Sequence, residues 1–398
     1  MTSETLQGRD GPLGLLIAAV GRKLMPRDIA GGITLTLPSG KAHRIGYAKP
    51  GANCDLQLKN FRPVWNAVRR GAIGFAESYM AGDIESSDIT AVLRFYLQNR
   101  EPLNKAAKPV FYKSLGDRLF HMMRANTKAG SRRNISAHYD LGNDFYSLWL
   151  DPTMSYSSAY FGSGAEDLVA GQLAKYDLVL DALKLDKPSD ILEIGCGWGG
   201  FAERAADRGH RLIGLTISRE QLDYARNRLK GRAEIRFQDY RDTEERFDAI
   251  ASIEMIEAVG EANWPTYFRV LRDRLKPGGT AAVQAITIDE RLYSGYRAKA
   301  DFIQRYIFPG GMLPTKSVLA AQAAAAGLRF ETVSCFGQDY ARTLAMWRER
   351  FDASWGAVSK LGFNENFRRR WHYYLCYCEA GFSEAAIDVG IYRFSRAG

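Results

Sequence analysis

The sequence predicts an α/β chain: a doubly wound, mostly parallel sheet with a helical cap, preceded by a small mixed α/β unit. Three observations carry this. Beyond residue 133, short apolar runs alternate with helical stretches, the signature of strands joined by crossover helices. The run at 190–194 opens directly onto a glycine-rich loop. The 398 residues are 46% hydrophobic and 25% charged, a globular composition long enough for two domains. Disorder would need fewer apolar residues and more net charge, and no repeat or low-complexity tract is present.

The elements follow in order. Residues 15–25 read as a helix and 32–37 as a strand, with a turn at Pro38-Ser39-Gly40. The second domain opens with strand 190–194 and helix 201–208, then strand 211–215 and helix 219–230. Strands at 234–237 and 247–253 come next. Helix 265–275 stops at Lys276-Pro277-Gly278-Gly279, and 280–286 is the fifth strand. A helical insertion occupies about 288–315, and strands at 329–334 and 390–394, separated by a long helical stretch, complete the sheet. The expected division is 1–130, an N-terminal domain with a basic connector for membrane or lipid docking, and 131–398.

Lys plus Arg number 54 against 45 Asp plus Glu, a net charge of +9 that calls for an anionic partner, nucleic acid or membrane. Segment 101–135 has eight basic residues, among them Lys105, Lys108, Lys113 and Arg118, against only Glu101 and Asp117. Phe111, Tyr112, Leu119 and Phe120 are interleaved with them, which suits a basic amphipathic segment on anionic headgroups. An ordinary solvated helix face is the competing reading. Five cysteines without a C-x-x-C spacing point to a reduced, cytosolic setting and give no metal site. Residues 12–20 are too short to span a bilayer and too acidic in their flank for a secretion signal, and no uncharged apolar run near 18 residues occurs elsewhere. The expected location is the cytoplasm, peripherally associated with the inner face of the membrane.

The loop Gly195-Cys196-Gly197-Trp198-Gly199-Gly200 satisfies the Rossmann-like G-x-G-x-x-G pattern. A dinucleotide is the first ligand to weigh, and two residues count against it. Glu193 stands two positions before the first glycine, and Thr216 stands where a ribose-binding acid belongs. With the Lys276-Pro277-Gly278-Gly279 turn ahead of the fifth strand, S-adenosylmethionine is the better ligand.

Further motifs extend this. The string Asn134 to Tyr146, with His138-Tyr139-Asp140, precedes Trp149 to Ser157. Leu215-Thr216-Ile217-Ser218 and Tyr306-Ile307-Phe308-Pro309-Gly310-Gly311 follow the glycine loop. Together, over about residues 130–398, these motifs resemble the cyclopropane fatty acid synthase family. The resemblance implies a class I methyltransferase sheet. It implies methylene transfer from S-adenosylmethionine to the cis double bond of an acyl chain in a membrane phospholipid, giving a cyclopropane, and it allows a homodimer. It assigns the cofactor to Tyr139, Tyr156, Ser157, Glu193, Gly195, Gly197, Thr216, Gln221, Asp239 and Tyr240. For the polar ones the competing role is a helix cap or turn.

The chemistry needs an in-line sulfonium methyl, aromatic faces for a carbocation and a base. Tyr306, Phe308, Tyr340, Trp347, Phe351 and Trp355 supply aromatic faces, although the spacing of four through Trp347, Phe351 and Trp355 reads mainly as helix core. In relatives the base is a bound bicarbonate held by Cys, Glu, His, Tyr and a backbone group near Ile. The matching residues here are Ser158, Glu257, Gln284, Tyr340 and Ile286, so two depart from the pattern. Either a remodelled bicarbonate site remains, or the proton leaves without ring closure, giving a methyl-branched or methylene chain. Glu257, with the extra carboxylate Glu254, is the candidate organiser of the base. A non-catalytic lipid-binding protein is a further reading. Nucleic-acid methylation lacks its Asn/Asp-Pro-Pro-Tyr/Phe signature, so no nucleic-acid partner is expected.

Overall fold

The computed structural model describes residues 29–107 and 141–398. The helix expected at 15–25, residues 108–135 of the basic segment, and Tyr139 lie outside the described residues. Two compact units are present. One comprises the described residues up to 107 and the returning segment 362–384, the other residues 141–361 and 385–398.

In the first unit, strands β1 (Ala30–Thr36), β2 (Ala42–Gly46), β3 (Lys49–Leu58) and β4 (Ile84–Glu85) form a sheet in the order β2-β1-β3-β4. The Pro38-Ser39-Gly40 turn closes the β1–β2 hairpin, with the Gly40 N–H donating to the Leu37 carbonyl at 2.8 Å. Helix Ile89–Gln98 lies on β1 and β3, and helix Glu365–Ser383 packs on it and on helix Arg62–Met80. This corrects the expected division at residue 130. Helix Glu365–Ser383 follows the catalytic motifs in sequence, yet its partners are in the first unit. Arg369 donates to the carbonyls of Tyr79 at 2.6 Å and Ile84 at 2.7 Å, and the Tyr373 and Tyr79 ring centroids are 5.5 Å apart.

The second unit is a seven-stranded sheet, order β10-β11-β9-β8-β5-β6-β7. Its strands are β5 (Asp190–Ile194), β6 (Arg211–Thr216), β7 (Glu234–Phe237), β8 (Phe247–Ile253), β9 (Leu275–Ile288), β10 (Leu328–Cys335) and β11 (Ile387–Arg396). Strands β9, β8, β5, β6 and β7 run parallel, and β11 is antiparallel to both β9 and β10. Ile191, Leu192 and Ile194 are all buried, as a strand covered on both faces requires. Trp264, Tyr267, Phe268 and Leu271 of helix Trp264–Arg274 pack with Ile250, Ala281 and Phe394 in one core.

One boundary differs from expectation. Residues 276–279 do not precede the fifth strand; they belong to β9. The register jumps from Phe247↔Leu275 to Ala249↔Thr280, so the Pro-Gly-Gly stretch is taken up as a bulge with Gly278 at φ 76°.

The sheet grows from β5 toward β6 and β7 on one side, and toward β8 and β9 on the other. The carboxyl ends of β5 and β8 therefore flank the topological switch point, the usual ligand crevice of such sheets. The loop after β5 and the turn after β8 meet there, since a Cβ on Gly195 would lie 3.0 Å from Met255 Cγ.

Candidate active site

The loop after β5 turns back through Gly195 (φ 84°), Gly197 (φ 50°) and Gly199 (φ 85°). The N–H groups of Gly195 and Cys196 both donate to the Leu215 carbonyl, at 3.0 and 2.9 Å, tying the loop to β6. Gly195 is exposed, and a Cβ on Gly197 would meet nothing within 4 Å, so the backbone lies open to a ligand. Beneath it Glu193 is 2% exposed, and its Oε2 has no hydrogen-bond partner among the described residues. Burial pushes this carboxyl up to about 8, against the pull of Lys175. An open backbone cradle over an unpartnered acid suits a ligand that is cationic, as S-adenosylmethionine is.

The other expected cofactor residues stand at the ends of the next strands. Thr216 donates to Gln221 Oε1 at 3.0 Å and accepts from the Ser218 N–H at 3.1 Å, while Ser218 caps helix Arg219–Leu229. Asp239, 2% exposed, caps a short turn and is paired with Arg241 at 2.7 Å. Tyr240 is half-buried beside Tyr267, with ring centroids 5.8 Å apart. Tyr156 and Ser157 come from the loop before helix Leu168–Ala182. The Tyr156 ring lies 5.4 Å from Tyr146, 5.6 Å from Trp149 and 5.5 Å from Trp347. Ser157 accepts from Lys175 Nζ at 2.6 Å through its hydroxyl and from Gln172 Nε2 at 2.9 Å through its carbonyl.

Ser158, Gln284, Tyr340, Glu257 and Ile286 do converge, but the centre of the group is Glu254. Its Oε1 accepts from the Ser158 N–H at 2.9 Å and from Gln284 Nε2 at 2.7 Å, and its Oε2 accepts from the Tyr340 hydroxyl at 2.6 Å. The Ser158 hydroxyl points elsewhere, donating to the Ala159 carbonyl at 2.8 Å. The register explains the convergence: Ile253 pairs with Gln284, so Glu254 follows β8 directly beside β9, and Gln284 and Ile286 share one face at a spacing of two. Glu257 Oε1 accepts from the Ile286 N–H at 2.6 Å, and its Oε2 has no partner among the described residues. Burial, then the charge of Glu254, pushes Glu257 up to about 8. Burial also raises Glu254, against its donors Tyr340 and Ser158, the Lys175 charge and the donor Gln284. The bicarbonate called for by the resemblance does not fit: the donors at 158, 284 and 340 are already spent on a carboxylate of the chain.

Lys175 escaped the sequence reading. It is fully buried, donates to Ser157, lies over the Tyr176 ring at 4.2 Å, and burial brings it down to about 8. The signal was present: Leu168, Gly171, Gln172, Lys175 and Val179 form the buried stripe of their helix, where a lysine is out of place. Trp347 and Phe351 are fully buried in helix Gly337–Ala353, as the spacing of four implied, and Trp347 also meets Tyr340 edge-on at 6.1 Å. The insertion touches the site through its last motif, the Met312 N–H donating to the Glu257 carbonyl at 2.8 Å.

The profile of the mycolic acid cyclopropane synthetase family matches residues 126–391. A tuberculostearic acid methyltransferase of Mycobacterium tuberculosis is 37% identical, over 98% of this chain and 93% of its own length. The cyclopropane-fatty-acyl-phospholipid synthase of Escherichia coli K12 is 36% identical, over 89% of this chain and 91% of its own. Among solved structures, mycolic acid cyclopropane synthase CmaA1 complexed with SAH and CTAB superimposes with a TM-score of 0.61 at 29% identity, covering 67% of this chain and 98% of that one. The chain belongs to the mycolic acid cyclopropane synthetase family and is an S-adenosylmethionine-dependent methyltransferase.

Proposed function

We propose that the protein methylates the cis double bond of an acyl chain carried by a membrane phospholipid, and that the resulting cation loses a proton without closing a ring. The product is then a methyl-branched unsaturated or methylene-bearing chain. The observation that carries this is the carboxylate group at the switch point: Glu254 held by three donors, with Glu257 beside it and the open glycine loop adjacent. When bound, the cofactor supplies an electrophilic methyl on a sulfonium. The chain does the rest. Glu193 and the loop backbone hold the cation-bearing ligand, Tyr340, bonded to Glu254, and Trp347, edge-on to Tyr340, bring aromatic rings to the site, and the buried carboxylate balances the positive charge.

The absence of ring closure is supported by Ser158 and Gln284, which replace the family's Cys and His, and by the relative named a tuberculostearic acid methyltransferase. A cyclopropane product is the second reading, supported by the Escherichia coli synthase at nearly equal identity. Docking on anionic membrane at the cytoplasmic face is supported by the +9 charge. No helix among the described residues is long and apolar enough to cross a membrane. The test is incubation with S-adenosylmethionine and unsaturated phospholipid vesicles, followed by proton NMR of the acyl chains. Olefinic methyl or exocyclic methylene signals are expected. High-field cyclopropyl signals would establish the second reading, and unchanged chains would leave a lipid-binding protein without turnover.

A further inference from the structure

We propose that Glu254 is the proton acceptor of this reaction and that the protein works without bound bicarbonate. The inference rests on the alkene methylation proposed above and deepens it.

The donor set is the first argument. The Ser158 N–H, Gln284 Nε2 and Tyr340 hydroxyl lie 2.6–2.9 Å from the two oxygens of Glu254. A glutamate carboxylate presents the same planar O–C–O edge as bicarbonate, so a second anion would meet spent donors and a like charge. The backbone is the second. Glu254 sits at φ 50°, a left-handed conformation that only glycine adopts freely, and its N–H is held by the Gln284 carbonyl at 2.8 Å. A costly backbone at a strand end is sustained here by the bonds its side chain makes. The third is the division of labour with Glu257. Among the described residues that acid accepts from the Ile286 N–H and its own backbone, with no side-chain donor, and it meets the charge of Glu254, so it is the member of the pair that keeps its proton.

The step balances. Methyl transfer breaks the carbon–sulfur bond and forms a carbon–carbon bond, leaving one former alkene carbon cationic. Glu254 takes a proton from a carbon next to that centre, and the C–H electron pair forms the new double bond. A preceding 1,2-hydride shift places that bond in a methylene, and loss from the methyl itself would close a ring. Glu254 leaves as the carboxylic acid and releases the proton to solvent.

Glu254→Gly removes the side chain and relieves the backbone at once, opening the three donors to small anions. Release of S-adenosylhomocysteine is followed with unsaturated phospholipid vesicles in bicarbonate-depleted buffer. Wild type is expected to keep its rate without bicarbonate, and Glu254→Gly to lose about 100-fold or more. Formate, acetate or bicarbonate should restore the variant by about tenfold or more, in order of basicity, while formamide should not. Without lipid or cofactor, formate should raise the melting temperature of Glu254→Gly and leave wild type unchanged. Glu254→Gln, which keeps the site filled, should be slow and beyond rescue. A wild type that requires bicarbonate, a Glu254→Gly at full rate without added anion, or equal rescue by formamide would overturn the proposal. No turnover by wild type on any unsaturated lipid would overturn the methylation reading beneath it, a result distinct from all of these.

Discussion

Burial holds Glu193 and Glu257 up to about 8 and Lys175 down to about 8, and the two kinds of shift act on stability from opposite sides. A raised carboxyl binds its proton more tightly folded than unfolded, so its contribution is complete below the unfolded value near 4.5 and is lost as pH rises toward 8. A depressed lysine contributes above its unfolded value near 10.5, and that contribution is lost as pH falls toward 8. Without ligand, thermal melts should therefore show stability falling as pH rises from about 4.5 to 8. Glu193→Gln with Glu257→Gln should flatten that fall by roughly 1–3 kcal/mol; an unchanged profile would mean that neither acid is buried as described. Tyr340→Phe removes one donor to Glu254 and should slow turnover about tenfold while S-adenosylmethionine affinity, read by calorimetry, stays constant. At this scale the sequence was readable where chemistry is local. Glu193 and the loop glycines follow from spacing alone. Glu254 was readable only as an accessory to Glu257; its place at the centre of the donors depends on the long-range pairing of Ile253 with Gln284.

The tie between β6 and the glycine loop lends itself to a test at the level of the element. A Cβ on Gly214 would lie 2.9 Å from Cys196 Cβ and 2.7 Å from Ile235 Cδ1. Gly214→Ala should cost about 1–3 kcal/mol and weaken cofactor binding by lifting the loop; unaltered affinity would show that the loop tolerates displacement. In the first unit Arg369 holds the carbonyls of Tyr79 and Ile84 to helix Glu365–Ser383. Arg369→Met should destabilise by about 2–3 kcal/mol in denaturant titration. The strands at 190–194, 234–237 and 247–253 were legible to the residue: the first and last are mostly apolar, as parallel strands buried on both faces require, and the edge strand Glu234–Phe237 alternates polar and apolar residues. The allegiance of helix Glu365–Ser383 was not, since amphipathicity tells that a face is buried and not against what.

For the whole molecule, charge is the feature that sequence alone displays. Neutralising Lys105, Lys108, Lys113 and Arg118 together should weaken binding to anionic vesicles, more strongly at low salt, and spare cofactor affinity. Equal vesicle binding in sedimentation would assign that segment to an ordinary solvated face. The α/β class and the class of cofactor were legible because a glycine loop between strand and helix is compact in sequence. The division of the chain was not, because the polypeptide leaves its first unit, builds most of the second, and returns at residues 362–384 before finishing the sheet. That return has a consequence for synthesis. When residue 107 leaves the ribosome, the helix that completes the first unit is still about 260 residues away, roughly 13–50 s at ordinary translation rates. The first unit must wait, with Tyr79 and its neighbours uncovered, until residues 362–384 have been made.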